Sequence, residues 1–377
     1  MSAPAAAPTT AGSSAATATA PSAFAQSYAE ARAKFIAAAE AAGLDIESHA
    51  HPMVGRDGEA LAMDVVRQGP MDAAGVLILS SACHGVEGYC GSGAQVALLR
   101  DAAWQQAVRD SGVTVLYIHA LNPYGFSWWR RTTHENVDLN RNFHDFSRAL
   151  PRNTAYDDIA HLLVPAQWPP SAELQAAEDA YLARYGFKAW QAAVSGGQHD
   201  HPQGLFYGGR NPTWSQQTLR RVLRDHGRRC ARLGWIDFHT GLGPNGHGER
   251  IFACRNDAAA LPRAKAWWGD DVTSIYDGSS ASALLTGLMW LAAYDECPLA
   301  DYTGIALEYG TVPISEGLLA LRADQWLENH PEAGAPQREA IKRTLRDAFY
   351  TDTEGWKRRI VEQAEDAARQ ALRGLAG

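Results

Sequence analysis

Short, nearly continuous apolar runs recur along the chain, and a polar loop follows each of them. The clearest are residues 75–81 (GVLILSS), 113–123 (VTVLYIHALNP) and 303–311 (TGIALEYGT). Runs of this length, bounded by turn residues, are typical of strands that are buried on both faces. Strands are also predicted at 60–69 and 250–254, and the segment 234–249 predicts a strand that gives way to a loop.

Helical periodicity fills most of the intervals between these runs. Helices are predicted at 23–42, 92–110, 171–193 and 216–233, and the Ala-, Arg- and Glu-rich segment after about 337 is predicted to be helical throughout. A strand–loop–helix–strand order indicates parallel strands with helices packed on the sheet. The pattern therefore predicts an α/β fold with a mixed, mostly parallel central sheet, in one domain from residue 23 to 377.

Composition and charge narrow the functional classes. The chain has 377 residues, 46% of them hydrophobic, and a net charge of -8, so it has the apolar content for a large core and no basic field for nucleic acid. No segment has the unbroken apolar length of a membrane span. Residues 1–22 lack the basic start and apolar segment of a secretory signal, and we expect a disordered tail there.

The cysteine pattern bears on the cellular compartment. The five cysteines are spread along the chain without a Cys-x-x-Cys pair, which disfavours a disulfide framework or a thiolate zinc site and favours a cytoplasmic protein. Cys83 is next to His84, but neighbouring residues on an extended chain point to opposite faces. A small buried cysteine is therefore expected at this position rather than a Cys–His catalytic pair.

Candidate chemistry lies where predicted strands end, which is where ligands collect on parallel sheets. His84 and Glu87 follow the strand at 75–81, His239 follows the strand that begins at 234, and Glu308 lies near the end of the strand at 303–311. A catalytic zinc takes three His, Asp or Glu ligands, and a nearby carboxylate takes a proton from water. Taken alone, the His-x-x-Glu spacing is also compatible with a helix cap and an ordinary ion pair.

A second polar segment, residues 128–146, is rich in groups that bind anions. Arg130 and Arg131 are followed by Asn140 and Arg141, and an arginine can bind a carboxylate through two parallel hydrogen bonds. The alternative is a solvated loop with a few salt bridges. The aromatic and aliphatic residues within the segment argue against it, because they would partly bury the polar groups: Trp128, Trp129, Leu139 and Phe143.

Four motifs, HGVEG, NVDLNRNF, DFHTG and LEYGT, occur in this order. Together they resemble the zinc carboxypeptidase (M14) superfamily, within it the DUF2817 family, and also the succinylglutamate desuccinylase/aspartoacylase branch. The resemblance implies a three-layer carboxypeptidase-like fold and one zinc ion per chain. It implies the following roles: zinc ligands His84, Glu87 and His239; general base and acid Glu308; carboxylate-binding residues Asn140 and Arg141; and an upstream arginine that polarises the scissile carbonyl.

Three features depart from the family pattern. The interval from Glu87 to His239 is 239 − 87 = 152 residues, and the surplus includes an inserted loop at 195–215. Arg130 and Arg131 both lie slightly off the spacing of the polarising arginine; Arg131 is favoured, with Arg130 as a further substrate-binding candidate. Tyr207 and Tyr276 are the candidates for the carboxypeptidase tyrosine.

These observations predict a zinc-dependent hydrolase that cleaves an amide bond next to a free carboxylate, as a carboxypeptidase acting on peptides. In the expected mechanism, zinc lowers the pKa of water, Glu308 removes its proton and later protonates the leaving amine. Two alternatives remain: an N-acyl amino acid deacylase, and a ligand-binding protein that kept the fold without catalysis. The expected partner is a small molecule or peptide with a free carboxylate, and the oligomeric state stays open.

Overall fold

The computed structural model describes residues 20–377. Residues 1–19, most of the expected N-terminal tail, lie outside the described residues. Residues 20–23 are helical, and Ala20 and Ala23 are buried against the main core.

Seven strands form one sheet within residues 20–377. They are β1 (Ile46–Val54), β2 (Ala60–Gln68), β3 (Gly75–Ser80), β4 (Thr114–His119), β5 (Arg232–Asn245), β6 (Gly248–Phe252) and β7 (Asp301–Gly310). Their order is β1-β2-β4-β3-β5-β7-β6, and the central four, β4, β3, β5 and β7, are mutually parallel. The three outer strands, β1, β2 and β6, pair antiparallel with their neighbours. The predicted α/β fold with a mixed central sheet is confirmed.

Thirteen numbered helices surround the sheet within the described range. They are α1 (Tyr28–Ala41), α2 (Gly88–Arg100), α3 (Ala102–Ser111), α4 (Pro123–Ser127), α5 (Thr154–Leu163), α6 (Ala172–Tyr185), α7 (Phe187–Ser195), α8 (Trp214–Gly227), α9 (Ala260–Trp268), α10 (Leu291–Glu296), α11 (Ile314–Asn329), α12 (Arg338–Phe349) and α13 (Glu354–Ala376). No helix among residues 20–377 combines the length and apolar character that a membrane crossing requires.

The segment after about 337 is not helical throughout, because it is interrupted at residues 350–353 between α12 and α13. Two further predicted helices are each broken in two. The segment 92–110 divides at Asp101, which is extended and accepts a hydrogen bond from the Ala103 amide, so it caps α3. The segment 171–193 divides at Gly186, which follows the last residue of α6. Its φ of 81° is a conformation that glycine adopts readily and other residues rarely do. Local capping chemistry overrides the continuous periodicity in both places.

Several elements did not follow from the hydrophobic pattern. Strand β1 is largely exposed, so its sequence carries little apolar signal. Helix α11 buries charged side chains that the pattern reads as surface residues. Its Arg322 donates to the carbonyls of Leu162 and Leu163 and pairs with Glu178 at 2.9 Å. These contacts satisfy the buried guanidinium, which is why a charged residue is tolerated there.

The turn that carries His84 and Glu87 packs directly on the backbone of α4. The amides of Gly85 and Val86 donate to the carbonyls of Arg131 and Arg130, at 3.1 and 2.8 Å. A Cβ atom on Gly85 would fall well inside van der Waals distance of the Gly125 backbone. The absence of a side chain at Gly85 therefore allows the approach that fixes this turn at the end of β3.

We expect Gly85→Ala to destabilise the protein, because a backbone on each side leaves no flexible side chain to move. Overpacking of this kind costs about 1–3 kcal/mol. Gly355→Ala, at an exposed glycine in the first turn of α13 with nothing closer than an arginine side chain at 3.8 Å, is the matched control. Chemical denaturation measures both free energies of unfolding. Equal values for the two variants would contradict the close packing at Gly85.

Candidate metal centre

His84, Glu87 and His239 converge at the carboxyl-terminal end of the parallel strands. Ligand atoms of the three side chains lie within 4.8 Å of one another, and all three residues are buried. Nδ1 of His84 is 3.0 Å from Oε1 of Glu87, and Nδ1 of His239 is 3.2 Å from Oε2. The structure thus brings together three residues that are 155 positions apart at their extremes, 239 − 84.

Each imidazole is held from its other side by a carboxylate. Nε2 of His239 lies 2.5 Å from Oδ2 of Asp237, and Nε2 of His84 lies 3.2 Å from Oδ1 of Asp138. An Nε2–H group that donates to a carboxylate leaves Nδ1 with its lone pair free. In that tautomer both Nδ1 lone pairs would face the Glu87 carboxylate, and these three acceptors would together suit a bound cation.

Asp237 is fixed by its own donors. Ser80 Oγ donates to Oδ1 of Asp237 at 2.6 Å, and the indole Nε1 of Trp235 donates to Ser80 Oγ at 2.7 Å. All of these groups are buried. The chain Trp235–Ser80–Asp237–His239 therefore determines the orientation of the His239 ring.

The pKa shifts reflect this dense cluster of charges. Burial alone would raise the pKa of Glu87, yet the imidazoles of His84 and His239 hold the pKa well below its ordinary value. Burial alone would lower the pKa of His239, but the carboxylates of Asp237 and Glu87 hold it well above its usual range. The pKa of Asp138 is likewise held low, against the effect of burial, by Arg131 and Arg141.

Two observations test whether these residues fit a metal ion. Nδ1 of His84 is buried without a hydrogen-bond partner, although Oε1 of Glu87 is 3.0 Å away. Two imidazoles and one carboxylate are also the ligand set of open catalytic zinc sites. A second group, Cys83, Asp237 and His239, fits a metal ion less well. Burial raises the pKa of the Cys83 thiol and so disfavours the thiolate that binds metals, and Asp237 already accepts a hydrogen bond from Ser80. The residues present fit zinc at His84, Glu87 and His239.

Glu308 lies beside His239 on the neighbouring strand. The two residues are register partners of the parallel pair β5–β7, so their side chains project from the same face of the sheet. The amide of Leu242 donates to Oε1 of Glu308 at 3.1 Å. Burial, with a further contribution from the Glu87 carboxylate, raises the pKa of Glu308 to about 8.

The sequence predicted that β5 gives way to a loop at His239. In the structure β5 continues to Asn245. Its pairing with β7 becomes irregular after Thr240, where Gly241 and Gly243 adopt φ values of 131° and 89°. Glycine is open to these conformations. The irregular segment brings the Leu242 amide over the Glu308 carboxylate, so the bulge belongs to the site.

The two candidate arginines occupy different environments. Arg131 reaches the centre: Nε donates to Asp138 at 2.9 Å, Nη1 donates to Glu87 at 3.2 Å, and Nη2 lies 2.8 Å from Nε2 of His84. Arg130 points towards α11, where it pairs with Asp324 at 3.3 Å and donates to the side chain of Asn136. Arg130 is not among the residues that line the cavity at the metal centre.

Asn140 and Arg141 also reach the cavity, on the short 3₁₀ turn Leu139–Arg141. Nε and Nη2 of Arg141 both donate to the carbonyl of Ser195, at 3.0 and 2.7 Å, and Nη1 donates to the carbonyl of Asn140 at 2.9 Å. A guanidinium has five N–H donors, so two remain for a ligand. The Asn140 side-chain oxygen accepts from the amide of Met289.

Phe206, from the inserted loop, lies between the two arginines of the site. Its ring centroid is 5.0 Å from Cζ of Arg131 and 5.8 Å from Cζ of Arg141. Phe206 has a φ of 53°, as uncommon for a bulky residue as the φ of 52° at Trp129, just before Arg130 and Arg131. Ala82, two residues before His84, has a φ of 60°. Uncommon backbone conformations thus surround the centre.

The two candidates for the carboxypeptidase tyrosine, Tyr207 and Tyr276, do not line the cavity. Tyr207 contributes its carbonyl to the Asp138 amide at 2.7 Å, and its side chain is not among those that line the cavity. The Tyr276 hydroxyl donates to the carbonyl of Cys254. Asp138 and Asp237 were not identified as site residues from the sequence, although Asp237 stands two positions before His239 on a strand and therefore shares its face. Nothing in the sequence pattern distinguishes Phe206.

Residues 24–363 match the family described as "Protein of unknown function (DUF2817)". No curated protein matches. Among solved structures, the chain is similar to a carboxypeptidase A from Helicoverpa armigera, with 14% identity, 92% of this chain and 74% of that chain covered, and a TM-score of 0.44.

It is also similar to the murein-tripeptide amidase from Escherichia coli O157, with 16% identity, 74% of this chain and 91% of that chain covered, and a TM-score of 0.34. A putative succinylglutamate desuccinylase/aspartoacylase family protein from Shewanella amazonensis SB2B matches at 17% identity over 74% of this chain and 72% of that chain, with a TM-score of 0.33. At these identities and TM-scores, the similarity assigns no activity to the chain.

We expect Asp237→Asn to weaken zinc binding, because an amide side chain no longer balances the His239 ring or fixes its tautomer. The loss of such an outer partner typically costs about 10–100-fold in metal affinity. Competition with a chromophoric chelator measures the dissociation constant, and Asp225→Asn, at an exposed position on α8, is the control. An unchanged constant in Asp237→Asn would show that Asp237 does not position the ligand.

Proposed function

The chain belongs to the DUF2817 family, and we propose that it is a zinc-dependent hydrolase that cleaves an amide bond next to a free carboxylate, at the C-terminus of peptides. One observation carries this proposal. A buried His–Glu–His set, the further glutamate Glu308 and two arginines, Arg131 and Arg141, all line one cavity. Each group has a distinct role in amide hydrolysis.

His84, Glu87 and His239 would hold the zinc ion, through Nδ1 of each imidazole and the Glu87 carboxylate. When bound there, zinc supplies Lewis-acid polarisation and lowers the pKa of water. The carboxylates of Asp138 and Asp237 face Nε2 of the two imidazoles and would favour the tautomer that leaves Nδ1 free for the zinc ion. The remaining steps depend on side chains of this chain.

Glu308 is the proposed general base and acid. Its carboxylate is beside His239 in the β5–β7 register and lines the same cavity. The Leu242 amide holds Oε1, which leaves the second oxygen to accept a proton from the attacking water. The same oxygen then returns that proton to the leaving nitrogen, so that one group serves both transfers.

Arg131 is the proposed donor to the scissile carbonyl oxygen. Asp138 and Glu87 hold Nε and Nη1, which fixes the plane of the guanidinium. The third nitrogen, Nη2, faces Nε2 of His84, whose proton is directed at Asp138. In the tautomer that zinc binding requires, Nε2 of His84 carries a proton, so Nη2 faces a second donor and is better satisfied by an oxyanion that forms on the substrate.

Arg141 and Asn140 are proposed to bind the substrate carboxylate. The guanidinium keeps two free N–H donors after its bonds to the carbonyls of Ser195 and Asn140. Two parallel hydrogen bonds from a guanidinium match the geometry of a carboxylate. This recognition reads only the carboxylate side of the scissile bond, so an N-acyl amino acid would satisfy the same residues as a peptide C-terminus.

We expect Glu308→Gln to keep the zinc content and to lose turnover. Glutamine is nearly isosteric and still accepts from the Leu242 amide, but it cannot take up a proton. General acid–base catalysis contributes about 10²–10⁴-fold, and the loss should reach the upper end because one group serves two transfers.

The measurement combines metal analysis with hydrolysis of dipeptides and N-acyl amino acids, and the exposed Glu362→Gln on α13 is the control. Turnover of Glu308→Gln within tenfold of the parent protein would assign the base to another residue. A parent protein that binds zinc and carboxylates but cleaves none of these compounds would favour a binding role instead.

Arg131→Ala and Arg130→Ala should separate catalysis from stability. Loss of one oxyanion donor costs about 10²–10³-fold in kcat, so Arg131→Ala should show that loss with its zinc retained. Arg130→Ala should instead lower the free energy of unfolding, towards the lower end of about 3–5 kcal/mol because Lys342 still pairs with Asp324 at 2.6 Å. Kinetics and denaturation of both variants decide; the reverse pattern would contradict the assignment.

A further inference from the structure

The cavity at the metal centre extends well beyond the reacting groups. It includes about 1260 Å³ of empty space, part of it open solvent. Its charged lining residues all belong to the centre: His84, Glu87, His239, Asp237, Glu308, Arg131 and Arg141. The other lining residues are apolar or uncharged, and the apolar ones include Trp190, Val194, Ile275, Leu288, Met289 and Trp290.

Helix α7 and the segment 281–290 form two walls of this apolar part, and both walls also contact the proposed carboxylate-binding residues. The carbonyl of Ser195, the last residue of α7, accepts hydrogen bonds from the Arg141 guanidinium, and the preceding residue, Val194, lines the cavity. The amide of Met289 donates to the Asn140 side chain at 2.9 Å, and Leu288 and Met289 both line the cavity. A carboxylate on Arg141 and Asn140 therefore lies at the edge of the apolar space.

The walls are joined to each other and supply no charge to that space. Gln191 of α7 donates to the carbonyl of Ala281 at 3.0 Å, which connects α7 to the segment 281–290. Glu249, on β6, accepts from the Ala281 amide and the Thr273 hydroxyl and does not line the cavity. A charged substituent in this space would lose its hydration without gaining an opposite charge.

We propose that the residue that carries the substrate carboxylate has a bulky apolar side chain, aromatic or branched aliphatic, and that the apolar walls bind it. This inference rests on the proposed function, because that function places the carboxylate on Arg141 and Asn140. It selects against substrates whose terminal residue is acidic or basic. It also selects against glycine, which would leave the apolar space unfilled.

The size of the preference follows from the burial of the side chain. Full burial of a large apolar side chain favours binding by about 10–100-fold over a residue without one. Charged side chains lose this gain and in addition lose hydration. We therefore expect kcat/KM for terminal Phe or Leu to exceed that for terminal Gly, Lys or Glu by at least about tenfold.

The test uses the zinc-loaded full chain and the series N-acetyl-Ala-Xaa, with Phe, Leu, Gly, Lys or Glu as Xaa. Hydrolysis gives kcat/KM, and calorimetry with the Glu308→Gln variant gives the affinity for each compound without turnover. These two measurements separate recognition of the side chain from catalysis.

Ser282→Asp tests the location of the side chain. Ser282 lines the cavity and is half-buried, so an aspartate there adds a charge without opening the apolar core. It should raise relative activity on terminal Lys and lower it on terminal Phe, each by about tenfold or more. Leu284→Asp is the matched control, because Leu284 lies in the same segment, is 61% exposed and does not line the cavity.

The outcomes distinguish the two proposals. A parent protein that cleaves or binds terminal Lys or Glu as well as terminal Phe overturns this inference and leaves the proposed function in place. Tighter binding of the Phe compound without hydrolysis of any compound supports the inference and overturns the proposed function. An equal change of preference in Ser282→Asp and Leu284→Asp overturns the location of the side chain on these walls.

Discussion

Glu87 is a buried carboxylate that faces one imidazole nitrogen with each of its oxygens, and the organisation of the site follows from this arrangement. A buried carboxylate requires positive charge or several donors nearby. The Thr240 amide and Arg131 donate hydrogen bonds to this carboxylate. A metal ion bound by both Nδ1 atoms would require each of them to be unprotonated, and the two outer carboxylates, Asp138 and Asp237, favour that tautomer.

This requirement extends into the scaffold. Asp138 is held by Arg131 and by its own amide, which donates to the Tyr207 carbonyl in the inserted loop. The segment that carries Arg131 begins with a residue of uncommon conformation, Trp129. Arg130 fixes the other side of this segment to α11 through Asp324. One arginine therefore stabilises the backbone that presents the next, and a conformation that is unfavourable locally persists because its surroundings determine it.

The sequence was sufficient for the general fold and for the convergence of His84, Glu87 and His239. Buried strands could be recognised because their apolar runs are nearly continuous, and the parallel order then put His84, Glu87 and His239 at one edge. Asp237 could also have been found, since residues two apart on a strand share a face. The separate fates of Arg130 and Arg131 could not, because adjacent residues in an irregular loop diverge only through tertiary contacts. The same holds for Phe206, which reaches the centre from a loop without periodicity.

The joining of α7 to the segment 281–290, through Gln191 and the Ala281 carbonyl, bears on how such a protein diversifies. The proposed metal ligands and Glu308 lie at or just beyond the ends of central strands, where each substitution disturbs several buried partners. The walls of the apolar space belong mainly to a short helix and a connecting segment outside the sheet. Mutations there alter the shape of the space without altering the register of β3, β5 and β7. Descendants of such a chain could therefore acquire new substrates while their reactive groups stay unchanged, so that chemistry and selectivity evolve at separate rates.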